Sequence, residues 1–308
     1  MSSRTGLGAP EVAVLAAVAE LGGMPGKRRR GTALVLEAVE RETGLAARYA
    51  YPLLQDLALP WRLHLPLLDP GGNWGSRQGD PAASARSTEV RLSEVGALAL
   101  AAERQEVGPV PLGLIEGSLY RGGPVPPFAP AGVLEALASG GTDAGPPVLP
   151  TGGTVDGGIS TLLAGGRARI TIGSTIAHEP GRLVITEIPM GVTIDLLAEH
   201  LSSQVHGQSS PRHADYLADA VGHVVAPPVP VVGVADESSA LSAVRVVCSL
   251  RRRADVGRAE RWVRSVWPVT IEVDCRLPAP MRRRLLAWDR GDGSGVSALR
   301  PLVQEAPG

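Results

Sequence analysis

The stretch Leu68-Asp-Pro-Gly-Gly-Asn-Trp-Gly-Ser76, continuing as Arg77-Gln-Gly-Asp-Pro-Ala-Ala-Ser-Ala-Arg-Ser-Thr-Glu-Val-Arg-Leu92, is the part of the chain on which the fold turns. Residues 64–76 read as extended and end in a turn-rich loop, because Pro, Gly and Asn crowd together after Asp69. Residues 86–103 read as a return to helix. Upstream lie three helices. The first, 10–21, has Pro10 at a favoured first position and is stopped by Gly22-Gly23. The second, 32–43, sets Leu34, Leu36, Ala38 and Val39 against outward Glu37, Glu40 and Arg41, and Gly44 ends it. The third, roughly 45–59, places Leu53, Leu54, Leu57 and Ala58 on one stripe. Three short helices joined by tight Gly/Pro turns make a helix-turn-helix pattern.

Downstream, 107–130 is broken by glycines and prolines, 131–138 is a short helix, and the Gly/Pro stretch 139–153 reads as a boundary. Arg167–Ile176 and Arg182–Glu187 alternate like strands, with a hairpin turn at Glu179-Pro-Gly-Arg182. Residues 192–205 read as a helix, and the His-, Ser- and Pro-rich 206–230 as an exposed insertion. Val244–Leu250 and Val269–Cys275 are strand-like around a helix at 255–266, and the tail after 291 reads as frayed. Helices and strands in mixed order give an α+β class.

Composition narrows the function classes. The chain has 308 residues, 44% hydrophobic and 20% charged, with a net charge of −1. That excludes a disordered polyelectrolyte and a uniformly basic nucleic-acid coat. No apolar run approaches the ~18 residues of a membrane span, and the amino terminus lacks a secretory n-region, so a cytoplasmic, nucleoid-associated location is expected, with no membrane partner. Cys248 and Cys275 are too few for a disulfide scaffold or a Cys-only zinc site. His200, His206, His213 and His223 fit no zinc spacing and are expected in a loop, and no metal site is assigned. Aromatics are 3%, so Leu, Val and Ala must build the core, with Trp262, Trp267 and Trp288 filling a smaller second one. Lys27 is the only lysine in an arginine-rich chain, which lowers the meaning of any arginine cluster.

The unbroken run 68–92 resembles the signature of the type IIA DNA topoisomerase A subunits, those of DNA gyrase and topoisomerase IV, approximately D-G-x-G-N-F-G-S-x-x-G-D-x-A-A-A-x-R-Y-T-E-x-R-L. Gly6-Leu7, Val14-Leu15 and Leu21-Gly22 are similar to the family's first helix, and Tyr51 through Trp61 stand where it has a recognition helix. Pro111–Pro127 resembles a shortened I-P-N-L-L-V-N-G-S … I-P-P-H-N-L. Leu149-Pro-Thr-Gly-Gly153, Ile185-Thr-Glu-Ile-Pro189 and Ala235-Asp-Glu-Ser238 resemble F-P-T-G-G, I-x-E-I-P and R-D-E-S-D. The resemblance implies a winged-helix DNA-gate domain over 1–140, a tower-like α/β domain over 141–290 and a flexible tail over 291–308, without the coiled-coil exit gate.

The family cleaves DNA by attack of a tyrosine oxygen on a phosphodiester, a task that suits a phenol of pKa near ~10. The arginine beside that tyrosine is present as Arg86, but the tyrosine position holds Ser87. Three readings stand: transesterification is lost, Ser87 attacks in its place, or Tyr120 substitutes. The family's His-Pro-His-Gly-Asp run falls on Thr43-Gly-Leu-Ala-Ala47, and the Ser and Asp that contact quinolone drugs fall on Arg48 and Pro52. The loop for the DNA-bending wedge is shortened near Leu119–Pro124.

Double-stranded DNA is then the expected partner. Lys27, Arg28, Arg29 and Arg30 precede the second helix, Arg48 and Arg62 flank the third, and Arg77, Arg86 and Arg91 lie along the wing-like segment. On one face they would reach five or so phosphates. Arg251-Arg-Arg253 with Arg258, Arg261 and Arg264, and Arg282-Arg-Arg284, read as tower-surface charges. The resemblance further implies a homodimer, and a gyrase B-like subunit or the host gyrase as partner. It places no cofactor in this chain, since Mg²⁺ and ATP would belong to the partner subunit. Three readings are left open: a cleavage-deficient DNA-binding protein, an active topoisomerase subunit, or a decoy of the host enzyme.

Overall fold

A computed structural model describes residues 3–141, 143–207, 229–239, 244–277, 279–281, 285 and 293–305. Helix α1 (Ala9–Glu20) is apolar on nearly all sides because it is enclosed: Val14, Leu15, Ala17 and Val18 are buried, and the helices at Thr32–Thr43 and Glu94–Glu103 cover it. Helix α2 (Thr32–Thr43) buries Val35, Leu36, Ala38 and Val39 and ends on Gly44, which takes the left-handed conformation of a C-cap. Helix α3 (Ala47–Ala58) buries Ala50, Leu54, Leu57 and Ala58 and carries Pro52 inside it.

Against these helices lies a three-stranded antiparallel sheet in the order β1 (Arg30–Gly31), β3 (Glu89–Leu92), β2 (Leu68–Gly71). Here the sequence reading is corrected. Residues 86–103 are not one helix: a 3-10 turn at Ala85–Ser87 leads into β3, and helix α4 spans only Glu94–Glu103. The alternation in Glu-Val-Arg-Leu turns Val90 and Leu92 inward and Glu89 and Arg91 outward. Ser93 then starts α4, its hydroxyl accepting from the Gly96 amide and donating to the Pro66 carbonyl. Gly96 cannot carry a side chain, because a Cβ there would meet the Leu67 carbonyl oxygen at 2.0 Å.

After α5 (Leu112–Ile115) and α6 (Pro130–Ala138) come β4 (Thr154–Gly157), α7 (Ile159–Leu163) and β5 (Arg167–Gly173). Strand β6 (Thr175–Glu179) and β7 (Arg182–Glu187) form the expected hairpin around Pro180-Gly181. The expected single strand 167–176 is instead divided at Ser174. Strand β5 pairs with β4 and with β10 (Thr270–Arg276), whereas β6 joins a separate sheet, β6-β7-β9-β8, with β8 at Val231–Asp236 and β9 at Val246–Leu250. Ser174 is fully buried between the two sheets, its amide bound to the Val269 carbonyl and its carbonyl to Arg264.

Helices α8 (Ile194–His206) and α9 (Val256–Ser265) cover the four-stranded sheet over a core of Leu183, Ile185, Leu197, Val246 and Val263. The larger core joins the N-terminal helices to Ile170, Ile172 and Cys275 of the other sheet. His200 and His206 stand on α8 rather than in a loop, and the His200 ring meets Trp267 edge-on at 4.9 Å. Trp262 packs on the second core, and Trp267 is partly exposed. Residues 294–305, expected frayed, form helix α10 (Ser294–Glu305), which packs on α4 and α6, buries Leu299 and accepts the Gly108 amide on Ser294. Most of the 206–230 insertion, with His213 and His223, lies outside the described residues, as do Arg282–Arg284 and Trp288.

A buried carboxyl ties the α3–β2 connector to α5. Glu116 accepts the His64 and Leu65 amides at 2.8 and 2.9 Å while almost wholly removed from solvent. Burial pushes its pKa from 4.5 up to about 8, although those two amides and the Arg121 charge favour the anion. Because the folded value is raised, this group's contribution to stability is complete below about pH 4.5 and is lost as pH rises through about 8. Denaturant titrations between pH 5 and 9 should therefore show stability falling in the parent chain. The Glu116→Gln variant, about 1–3 kcal/mol less stable at pH 6 because its amide faces a backbone donor, should show a flatter profile.

Candidate functional site

The turn Ala85–Ser87 is exposed at the meeting point of three elements. The Thr32 amide at the start of α2 donates to the Thr88 carbonyl at 2.9 Å, and the Ser87 amide closes on the Ser84 carbonyl at 2.8 Å. On the other side Gly72 sits at φ +88°, and a Cβ there would meet the Ser87 carbonyl oxygen at 2.8 Å, so a glycine lets the loop lie against the turn. Among the described residues the Ser87 hydroxyl reaches only Ser84 Oγ, at 3.5 Å. Arg86 points to solvent with no ion pair among the described residues. A shallow groove of about 540 Å³ runs beside it, floored by Ala33, Leu36, Ala47 and Ala85 and edged by Glu37, Glu40 and Arg86. The groove therefore links the Arg86 turn to the first turn of α3.

The loop before the turn is fastened throughout. Trp74 Nε1 donates to the Gly71 carbonyl at 2.8 Å, Ser76 Oγ to Asp80 at 2.6 Å, and the Ala83 amide to the Asn73 carbonyl at 3.0 Å. Tyr51 of α3 donates its hydroxyl to the Ala83 carbonyl, and its ring stands 5.9 Å from that of Trp74. The far end of the loop caps α8, with Arg77 and Gln78 carbonyls accepting the Ile194 and Asp195 amides.

The basic residues do not all reach one surface. Asp69 takes two of them: Arg29 Nη2 at 2.7 Å on one oxygen and Arg91 Nε at 2.6 Å on the other. Burial raises the Asp69 pKa, but the hydrogen bonds from Arg29 and Arg91 outweigh it and hold the carboxyl below its usual 3.8. Arg91 also donates to the Lys27 carbonyl at 2.8 Å, fixing the turn that carries Lys27. Arg62 pairs with Asp56 and lies over the Tyr120 ring. Arg30 is half-buried against the Gly22 carbonyl, and Arg77 reaches toward Thr151. Lys27, Arg28, Arg48 and Arg86 remain exposed and without an ion pair among the described residues.

Tyr120 is held within the fold. Its hydroxyl donates to the Trp61 carbonyl at 2.7 Å, and burial pushes the phenol well above its ordinary value. Among the described residues no group of three or more His, Cys, Asp or Glu side chains could hold a metal ion, and the groove carboxylates Glu37 and Glu40 do not form such a group. Among the described residues no helix is long and apolar enough to cross a membrane.

Known proteins are similar to part of this chain in sequence. Over 201 residues, 52% of the chain, it is 31% identical to the DNA gyrase A subunit of Aminobacterium colombiense. The chain is a divergent, gyrase A-like protein. It is 28% identical to the Granulibacter bethesdensis DNA gyrase A subunit over 244 residues, 66% of the chain. It is 51% identical to that of Chlamydia muridarum over a 43-residue segment, 14% of the chain and 5% of the relative. The two longer matches span about a quarter of those relatives, 25% and 24%. No protein-family model matches the gyrase A-like chain.

One exposed residue near the turn carried no sequence motif. Tyr49, in the first turn of α3, is 59% exposed, with the Arg48 guanidinium 4.7 Å from its ring centre. The available signal was scarcity: few aromatics occur, so an aromatic spent on the surface has meaning. Removing the clamp carboxyl, as Asp69→Ala, should lower stability by about 1–2 kcal/mol, discounted for partial exposure. The clamp's own contribution is present above pH 3.8 and lost as pH falls through the depressed folded value. Urea titrations of both proteins at pH 7 and at pH 3 would measure it, the difference between them shrinking at the lower pH.

Proposed function

We propose that the chain binds duplex DNA through a winged-helix unit made of α1–α3 and the β1-β3-β2 sheet, and that it does not cleave the DNA it holds. The observation that carries this reading is the exposed Arg86-Ser87 turn, set between the α2 amino terminus and a groove leading to α3, in a gyrase A-like chain. Lys27, Arg28, Arg48 and Arg86 would supply the phosphate contacts. Four free cations are fewer than the sequence offers, so binding should be moderate and steeply salt-dependent. The α+β remainder would correspond to a tower-like domain over 141–290 joined to a DNA-gate domain over 1–140.

The case against cleavage is chemical. A serine hydroxyl is a far poorer leaving group than a phenol, and it is a ring shorter, so a phosphate seated for a tyrosine would lie out of reach. No described side chain other than Ser84 contacts the Ser87 hydroxyl, so no general base is in place. Tyr120 is engaged elsewhere. By the same likeness we propose that the protein partner is a gyrase B-like subunit, the holder of any Mg²⁺ and ATP, and that the chain self-associates through the DNA-gate face.

Titration of a labelled duplex by fluorescence anisotropy across salt should give a log–log slope of about −3 to −4. The variants R86A and K27A should each weaken binding and reduce that slope by about 1. Absence of binding, or binding indifferent to salt, overturns the proposal. A covalent adduct joined through residue 87 to a broken duplex, formed with a gyrase B-like partner present, overturns its non-cleaving half.

A further inference from the structure

The first turn of α3 carries a feature that phosphate binding does not use. Tyr49 has the most exposed ring among the described aromatics, and its hydroxyl has no hydrogen-bond partner among the described residues. The other described aromatics are committed. Phe128 and Trp74 are buried, Tyr51 and Tyr120 each donate to a backbone carbonyl, Trp61 and Trp262 pack on the cores, and Trp267 meets His200. In a chain with 3% aromatics, one phenol is left on the solvent side of the helix.

Its surroundings define what it can take. The Arg48 guanidinium stands over the ring at 4.7 Å, and the residue still keeps 59% of its surface exposed. Ala47, just before the pair, lines the groove that ends at Arg86. Pro52, one turn further along α3, is exposed and offers no amide donor. A flat aromatic surface with the Arg48 cation against it matches the face of a nucleobase. In paired, stacked DNA the base faces are covered by their neighbours, so only an unpaired or unstacked base can use the exposed ring.

We propose that Tyr49, backed by Arg48, is a stacking site for an unpaired DNA base, so that the chain prefers DNA containing an open segment to fully paired duplex. This rests on the DNA-binding reading above and adds to it the state of the DNA that is bound.

The test uses the full chain and two labelled DNAs of equal length, one fully paired and one with a central mismatched bubble, at the same salt. The bubble DNA should bind about ten-fold more tightly. Tyr49→Phe, which keeps the ring, should hold that ratio, and Tyr49→Leu should bring it close to one. A 2-aminopurine placed in the bubble gives an independent readout in the parent chain: stacking on Tyr49 should quench its fluorescence on binding, and Tyr49→Leu should relieve the quenching. Equal affinity for both DNAs, or a preference that survives in Tyr49→Leu, overturns the stacking site while leaving the DNA-binding reading intact. If neither DNA binds, the DNA-binding reading fails and the stacking site with it.

Discussion

The Asp69 carboxylate sits where three strands meet, and the surface of the N-terminal unit depends on how it is used. Each of its oxygens holds one guanidinium, Arg29 from before β1 and Arg91 from β3. A shared carboxylate of this kind fixes two long side chains at once, and charge-assisted bonds near 2.7 Å are the stronger members of their class. The clamp draws β1 onto β3 and β2, which in turn sets the 85–87 turn against the start of α2. It also decides which cations face solvent. Of the stretch 27–30, Asp69 holds Arg29 and the Gly22 carbonyl holds Arg30, so only Lys27 and Arg28 stand clear.

Arginine serves this chain repeatedly as a fastener. Arg4 reaches the carbonyls of Ala102 and Val107, Arg121 pairs with Glu11 at a nearly solvent-free position, Arg245 holds Glu179 and Glu237, and Arg264 holds Glu260 and the Ser174 carbonyl. The guanidinium suits that work because its donors are spread in a rigid plane and can meet a carbonyl and a carboxylate together. A cluster of arginines in the sequence therefore says little here about a surface. Around the 85–87 turn, Lys27, Arg28, Arg48 and Arg86 stand clear while Arg29, Arg62 and Arg91 are tied down; Arg252, Arg253, Arg258 and Arg261 are also exposed, in the other part of the chain.

The helices of the N-terminal unit were legible because their signals are local. Gly44 and the apolar Leu36, Ala38 and Val39 define α2 to the residue, although Leu34, expected inward, is 56% exposed and Val35 is buried in its place, and Pro10 marks α1. Strand β3 was not legible as a strand. Four alternating residues followed directly by the apolar run of α4 read as one periodic segment, and only the Ser93 cap separates them. The break at Ser174 is likewise a tertiary event, since Ile170 and Ile172 join one core while the next strand serves the other. Helix α10 looked frayed because its flanks are Gly- and Ser-rich; its order comes from docking on α4 and α6, which no local pattern encodes. At the site, the Arg86-Ser87 pair was visible from the signature alone. The partners that remove Arg29, Arg62 and Arg91 were not, because ion pairs depend on which strands and helices meet.

Lys27, the chain's lone lysine, stands exposed in the turn that Arg91 fastens through the Lys27 carbonyl. Every other basic side chain apart from histidine is a guanidinium, which keeps its charge at any pH the fold survives and resists acylation. Acetyl transfer, or any amine-directed label, therefore meets a single side-chain amine in the whole sequence. It lies at the rim of the basic surface, so neutralising it subtracts one charge from that surface and touches no other lysine.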